Sequence, residues 1–333
     1  MNAALDSIFE VALGVELDSL CGSSEEGVNF CKAFDDSSAA TLWRFLDPLW
    51  KLKKYFNIRS EAKLKENIKV VDAFVYKLIN NKVKEVQNKQ LDGSSMSKED
   101  IVTRFLHLPE AADPKLLRDI VLSFIIAGKD TTGSTLSWFI YKLCKYPHLQ
   151  EKIAQEVKSA ILNDEKVKIN LSKFEDNISE EALEKMQYLH AALTETLRLH
   201  PAIPLVSKNC FSDDILPDGF SVNRRDTISY TPYAMGRMKS IWNENAEDFE
   251  PERWLDENGN FQAESPFNFT AFQAGPRICL GKEFAYRQMK IISAVLLGCF
   301  MFKLKDEKEA VNYRTMISLQ IDGGLHVHAF PRV

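Results

Sequence analysis

Apolar side chains recur along most of this chain at helical spacing. Leu5, Ile8, Phe9, Val11, Ala12 and Leu13 mark a first helix, and a polar run over 22–27 reads as a loop. Helical patterns follow over 30–47 and 59–89. The second sets Ile68, Val71, Phe74, Val75, Leu78 and Ile79 on one face with lysines opposite. Residues 92–98, Asp-Gly-Ser-Ser-Met-Ser-Lys, read as a flexible connection. Asp113 caps a long helix with Pro114 in its first position, and Pro147 stops it after Tyr146. At 1.5 Å per residue it spans roughly 50 Å. Helices over 149–162 and 183–200 flank a polar loop over 163–179. Beyond Pro201 the period shortens to two. Strands are expected over 218–222 and 227–231, with Phe220, Val222, Ile228 and Tyr230 facing inward. A last helix carries Phe284, Ile291, Ile292, Val295, Leu296 and Cys299, and strand-like alternation fills 303–333 around Asp322-Gly323-Gly324. The expected class is mainly α with minor antiparallel β.

Composition narrows the function classes. With 333 residues, 45% hydrophobic and 11% aromatic, the chain can bury a large core. A formal charge of −5 with interspersed lysines and glutamates argues against nucleic acid as a partner. Six cysteines form no CxxC pair, which fits reduced, cytosol-facing surroundings. The longest apolar run, 291–302, is too short to span a bilayer, and the first residues lack the basic and apolar regions of a signal peptide. The chain as it stands is expected to carry no anchor.

Three places carry candidate chemistry. In the long helix, the apolar run 120–126 gives way to Ala127-Gly128-Lys129-Asp130-Thr131-Thr132-Gly133. Each glycine costs about 1 kcal/mol there relative to alanine. Each threonine can bond back to a carbonyl four residues earlier. Local rule-breaking inside a strong helix is a pattern of working sites, and a helix kink with a solvated Asp130 is the alternative. Second, Glu195 and Arg198 lie three apart on one helix face, a weak pattern alone. Third, Cys279 stands between Gly275 and Gly281, just ahead of the last helix. Glycines open backbone conformations closed to other residues, and the helix start favours thiolate over thiol. A rigidly held thiolate suits an axial metal ligand, and Arg277 offers a fixed fork for a carboxylate. A buried structural cysteine is one alternative. A cysteine phosphatase loop is another, but it needs an arginine six positions on, where Ala285 stands. His326 and His328 share a strand face without a third ligand and read as surface or packing residues.

The string Phe272-x-x-Gly275-x-Arg277-x-Cys279-x-Gly281 resembles the haem-binding signature of the cytochrome P450 family at every fixed position. Ala127-Gly128-x-Asp130-Thr131-Thr132 resembles the oxygen-binding groove of that family's central helix. Glu195-x-x-Arg198 and Pro251-Glu252-Arg253-Trp254 follow in family order. The resemblance implies haem b (heme b) with Cys279 as axial ligand, and Phe272, Gly275, Arg277 and Gly281 at the cofactor. It implies that Thr131 donates a hydrogen bond to dioxygen, that Asp130 relays protons, and that Gly128 leaves room for oxygen. Glu195, Arg198 and Arg253 would form a buried network. Phe124, Ile125, Ala127, Leu205 and Val206 would line the substrate cavity, and Lys208 would reach a haem propionate or be a plain surface lysine.

The implied reaction is insertion of one oxygen atom from O2 into an aliphatic C–H bond, with an NADPH-dependent cytochrome P450 reductase as electron donor. Lys282, Arg287 and Lys290 are candidate docking charges on the cysteine side, with plain solvated surface charges as the alternative. The wording at 233–238, 272–277 and 284–290 is similar to the plant fatty-acid ω-hydroxylase group, implying a lipophilic substrate. A scaffold that has lost turnover, or action on another lipophilic substrate, are the competing readings. Microsomal members are longer and begin with a membrane helix. Residues 1–333 are therefore expected to be a partial domain, the C-terminal two thirds of an enzyme on the cytosolic face of the endoplasmic reticulum membrane.

Overall fold

The computed structural model describes residues 2–15, 24–91, 100–108, 113–161, 177–308, 311–314 and 316–332. The connection expected over 92–98 and most of the loop expected over 163–179 lie outside them. Two compact units result, Met1–Gly133 and Ser134–Val333.

The first unit is helical: α1 Asn2–Leu13, α2 Glu25–Trp43, α3 Trp50–Phe56, α4 Ser60–Leu91, α5 Ile101–Leu106 and the first part of α6, Pro114–Lys145. Helix α2 starts earlier than the polar run 22–27 suggested. Ser24 accepts a hydrogen bond from the Gly27 amide at 3.1 Å, and Glu25 and Glu26 place negative charge in the first turn. From Ser24 on, the polar residues stabilise a helix N-terminus, and residues 22 and 23 lie outside the described residues. The core is aromatic: Phe30 stacks on Phe74 at 4.6 Å and meets Phe9 edge-on at 5.7 Å. Along α4, Val71, Phe74, Val75 and Ile79 are buried, but Ile68 is exposed, so the buried stripe is narrower than its apolar spacing. Asp100 caps α5 by accepting from the Thr103 amide at 2.8 Å, and also pairs with the buried Lys82 at 2.6 Å.

Helix α6 passes unbroken through its glycines to Lys145, and Pro147 starts the next helix as well as stopping this one. In the second unit follow α7 Pro147–Ile161, α8 Glu180–Lys185, α9 Gln187–Leu199, α10 Pro232–Met235, α11 Lys239–Trp242 and α12 Lys282–Cys299. Every residue of α9 from Ala191 to Leu199 is buried. Its N-terminus is satisfied by Glu156 of α7, whose carboxylate accepts from the Tyr188 and Leu189 amides at 2.6 and 2.8 Å.

Among the described residues, four antiparallel strand pairs edge this unit. β1 Val206–Asn209 pairs with β4 Thr227–Tyr230, and β2 Asp214–Ile215 with β3 Ser221–Val222. β5 Phe300–Leu304 pairs with β8 Val327–Pro331, and β6 Tyr313–Arg314 with β7 Gln320–Ile321. Val222 is buried as its alternation required, whereas Phe220 and Ile228 are exposed. Two-stranded ribbons of two to four residues have too little sheet to cover both alternating positions. In α12 the buried face is Tyr286, Met289, Ser293, Ala294 and Leu297, not the stripe through Phe284, Ile291 and Val295.

Candidate functional site

The cysteine loop is built by two 3-10 turns. Thr270–Phe272 is followed by Gln273 at φ 60 and, after Ala274, by Gly275 at φ 64, which opens the turn Gly275–Arg277. Glycine takes this left-handed conformation freely, while a side chain as long as that of Gln273 is uncommon there. Gly281 differs from the expectation. Its φ of −87 suits any residue, and a Cβ there would meet the Cys279 Sγ only at an ordinary 3.9 Å.

The Cys279 amide donates to the Phe272 carbonyl at 2.8 Å, closing the loop, and the Ala285 amide donates to the Gly281 carbonyl at 2.8 Å as α12 begins. The Phe272 ring lies 5.3 Å from that of Tyr286, whose hydroxyl is 2.9 Å from Thr194 on α9. These contacts anchor the loop that presents the thiol. Cys279 is a free, exposed cysteine, flanked by the exposed apolar Ile278 and Leu280. The exposed Arg277 makes no ion pair among the described residues. A soft sulfur donor, an apolar flank and a cationic fork fit a haem with its propionates.

Glu195, Arg198 and Arg253 are brought together. Arg198 holds Glu195 with two nitrogens: Nε donates to Oε2 and Nη2 to Oε1, each at 2.7 Å, with both side chains fully buried. Arg253 Nε stands 3.6 Å from Glu195 Oε1. Two further donors had no assigned role in the sequence: Trp254 Nε1 reaches Oε2 at 2.9 Å, and the Glu250 amide reaches Oε1 at 2.9 Å. Arg198 also donates to the carbonyls of Ala246 at 2.6 Å, Asp248 at 2.9 Å and Gly236. Gly236 has no alternative: a Cβ there would lie 2.1 Å from the Arg198 carbonyl oxygen. The E-x-x-R spacing signalled the first pair, but partners 38 to 59 residues away had no local signature.

On α6, Phe124 is half-buried, Ala127 exposed and Thr131 half-buried, while Ile125 is 1% exposed and belongs to the core. Ile125, expected beside Phe124 and Ala127, therefore packs on a different side of α6 from Ala127. Helical periodicity turns it with Val121 and Thr132 to the side opposite Ala127. The Thr131 hydroxyl donates to the Ala127 carbonyl, four residues back. Gly128 has a reason other than room for oxygen: a Cβ there would lie 2.3 Å from Ile8 Cδ1 of α1. Leu205 is exposed, Val206 half-buried and Lys208 exposed. Of the docking charges, Arg287 is exposed and pairs with Glu180, and Lys282 is half-buried. Lys290 is buried and donates to the Leu183 carbonyl at 2.8 Å, and burial lowers its pKa. It closes the end of α8 and is not a docking charge.

A mainly α fold with small antiparallel pairs, a presented cysteine and a buried Glu/Arg/Arg cluster describe the haem-thiolate class of protein. The sequence matches the family model described as Cytochrome P450 over residues 1–327. The chain belongs to the cytochrome P450 family, whose members carry haem on a cysteine thiolate. It is 43% identical to cytochrome P450 704C1 of Pinus taeda, covering 100% of this chain and 66% of that one. To cytochrome P450 704B1 of Arabidopsis thaliana it is 41% identical over 98% of this chain and 67% of the relative. To cytochrome P450 86B1 of Arabidopsis thaliana it is 38% identical, over 100% and 60%. The chain thus spans about two thirds or less of the length of these relatives.

Proposed function

We propose that Cys279 is the axial ligand of haem b in a monooxygenase that hydroxylates fatty acids, at the ω end. The observation that carries the reading is the exposed Cys279 thiol, presented by the loop closed on the Phe272 carbonyl at the start of α12. When bound there, haem supplies reductive activation of dioxygen and insertion of one oxygen atom into a C–H bond, the other atom leaving as water. Arg277 would bind a haem propionate, and Gly275 would let the group approach the backbone closely. Thr131 redirects its hydroxyl proton from the Ala127 carbonyl toward oxygen by rotation about one bond. Asp130, partly exposed, passes protons inward from solvent.

Phe124, Ala127, Leu205 and Val206 carry no charge to hold a polar reacting end, which favours a long aliphatic substrate. The similarity of wording to plant fatty-acid ω-hydroxylases supports the same class. Electrons come from an NADPH-dependent cytochrome P450 reductase, with Lys282 and Arg287 as contacts on the cysteine side. The site of action is the cytosolic face of the endoplasmic reticulum membrane. Among the described residues, no helix is long and apolar enough to cross a membrane.

The test is the reduced, carbon monoxide-treated absorption spectrum of the full-length protein. Cys279→Ala abolishes the thiolate signature, and Cys144→Ala and Cys299→Ala retain it. A thiolate-ligated haem in Cys279→Ala rejects the ligand. Oxidation of ring substrates alone, with fatty acids untouched, rejects the substrate class.

A further inference from the structure

Lys129 occupies the open position of the A-G-x-D-T-T motif and takes no part in the roles proposed for its neighbours. Its side chain is 3% exposed, so the ammonium group needs partners. Among the described residues it has three. Nζ contacts Asp35 Oδ1 on α2, stands 3.2 Å from Asp130 Oδ1, and lies 5.6 Å from the centre of the Phe34 ring. Neighbouring residues on a helix do not face each other. The contact between Lys129 and Asp130 therefore requires the lysine stem to be turned toward its successor, and Asp35 and Phe34 supply the anchor. Asp35 is 56% exposed and Asp130 21% exposed, so one buried cation joins a solvent-facing carboxylate on α2 to the carboxylate beside Thr131.

The structure assigns Lys129 as a positioning residue for Asp130: anchored on α2 through Asp35, its ammonium fixes the orientation of the Asp130 carboxylate and with it proton delivery toward Thr131. This rests on the reading of Asp130 as a proton relay. Lys129 is not itself a carrier. Burial pulls its pKa down, but Asp130 and Asp35 together raise it above the ordinary lysine value, so the proton stays on the ammonium. The neighbouring Cys31 thiol has its pKa raised, chiefly by burial, and offers no competing charge at neutral pH.

Two measurements test the assignment. The first needs no cofactor chemistry: hydrogen exchange of the α2 amides in Lys129→Met, Asp35→Asn and the double variant. Each single change speeds exchange, and the double variant adds nothing further, because both remove one link. Additive effects overturn the link. The second uses the full-length enzyme with its reductase and palmitic acid as probe, reading product formed per NADPH consumed and the solvent deuterium isotope effect. Lys129→Met lowers the coupled fraction by roughly fivefold, a part of the 10²–10⁴ that a positioned acid contributes, and raises the isotope effect. Lys129→Arg recovers most of it, and Asp35→Asn falls between. A Lys129→Met enzyme with a normal thiolate spectrum, unchanged coupling and a lower melting temperature makes the residue structural only. Should Lys129→Met fail to fold, an unchanged coupled fraction in Asp35→Asn likewise reduces Lys129 to a structural role. A wild type without a thiolate spectrum, by contrast, overturns the functional reading itself and takes the role of Asp130 with it.

Discussion

Arg198→Met probes the buried carboxylate cluster most directly. Methionine fills much of the same volume but donates nothing. Glu195, fully buried, would lose two of its four hydrogen bonds, keeping the Trp254 indole and the Glu250 amide at 2.9 Å each. Arg253 Nε, at 3.6 Å, is too distant to replace the lost pair. The carbonyls of Gly236, Ala246 and Asp248 would lose the same donor. Removing one partner of a buried ion pair costs about 3–5 kcal/mol, because the surviving charge stays desolvated. Folded chains hold only about 5–15 kcal/mol in total. Urea unfolding should therefore show the midpoint falling by roughly a fifth or more at unchanged slope. The control is Lys239→Ala, which removes an exposed ion pair of 2.7 Å to Glu244 and should change stability by about 0–1 kcal/mol. If Arg198→Met costs no more than the control, Glu195 does not depend on this arginine and the cluster is not what holds α9 to the following segments.

Local geometry sets three further outcomes. Gly236→Ala, with its Cβ driven to 2.1 Å from a backbone oxygen that cannot move aside, should destabilise by about 3 kcal/mol or more in the same unfolding assay. Gly128→Ala clashes instead with the end of the Ile8 side chain at 2.3 Å, so a double-mutant cycle with Ile8→Ala should show the pair costing less than the sum of the singles. Strict additivity would mean that α1 does not press on α6. The third outcome concerns pH. Burial, then Lys142, Arg237 and Arg198, push the His200 pKa down to about 2. The unfolded chain binds that proton near pH 6.5 and the folded chain does not, so the stability is present above pH 6.5 and is lost as pH falls toward 2. At pH 5 the loss from this group is about 2 kcal/mol. His200→Phe should flatten the acid limb of the stability curve, and an unchanged limb would mean that His200 protonates in place.

The long helices, the cysteine loop and the order of the motifs were legible in the residues alone, because each rests on neighbours close in the chain; the short helices α3, α5, α10 and α11 were not, and the one helix expected over 183–200 is divided at Met186 into α8 and α9. Apolar periodicity, the Asp113-Pro114 start of α6 and the Gly275 turn are local chemistry, and Glu195 with Arg198 is one turn of helix. Packing between distant segments set the rest. Ile125 and Ala127 are both apolar and two residues apart, and only the neighbours of α6 made one core and the other surface. Charge misleads in the same way at Lys290, which its place just after the cysteine loop offers as a docking cation and packing makes a buried closer of α8. Gly128 was legible only as an opening for oxygen, and the approach of Ile8 adds a second cause for its missing side chain. The Trp254 and Glu250 donors lie 59 and 55 residues from Glu195. A buried carboxylate must collect donors from wherever the chain returns, and nothing in a local window records that return.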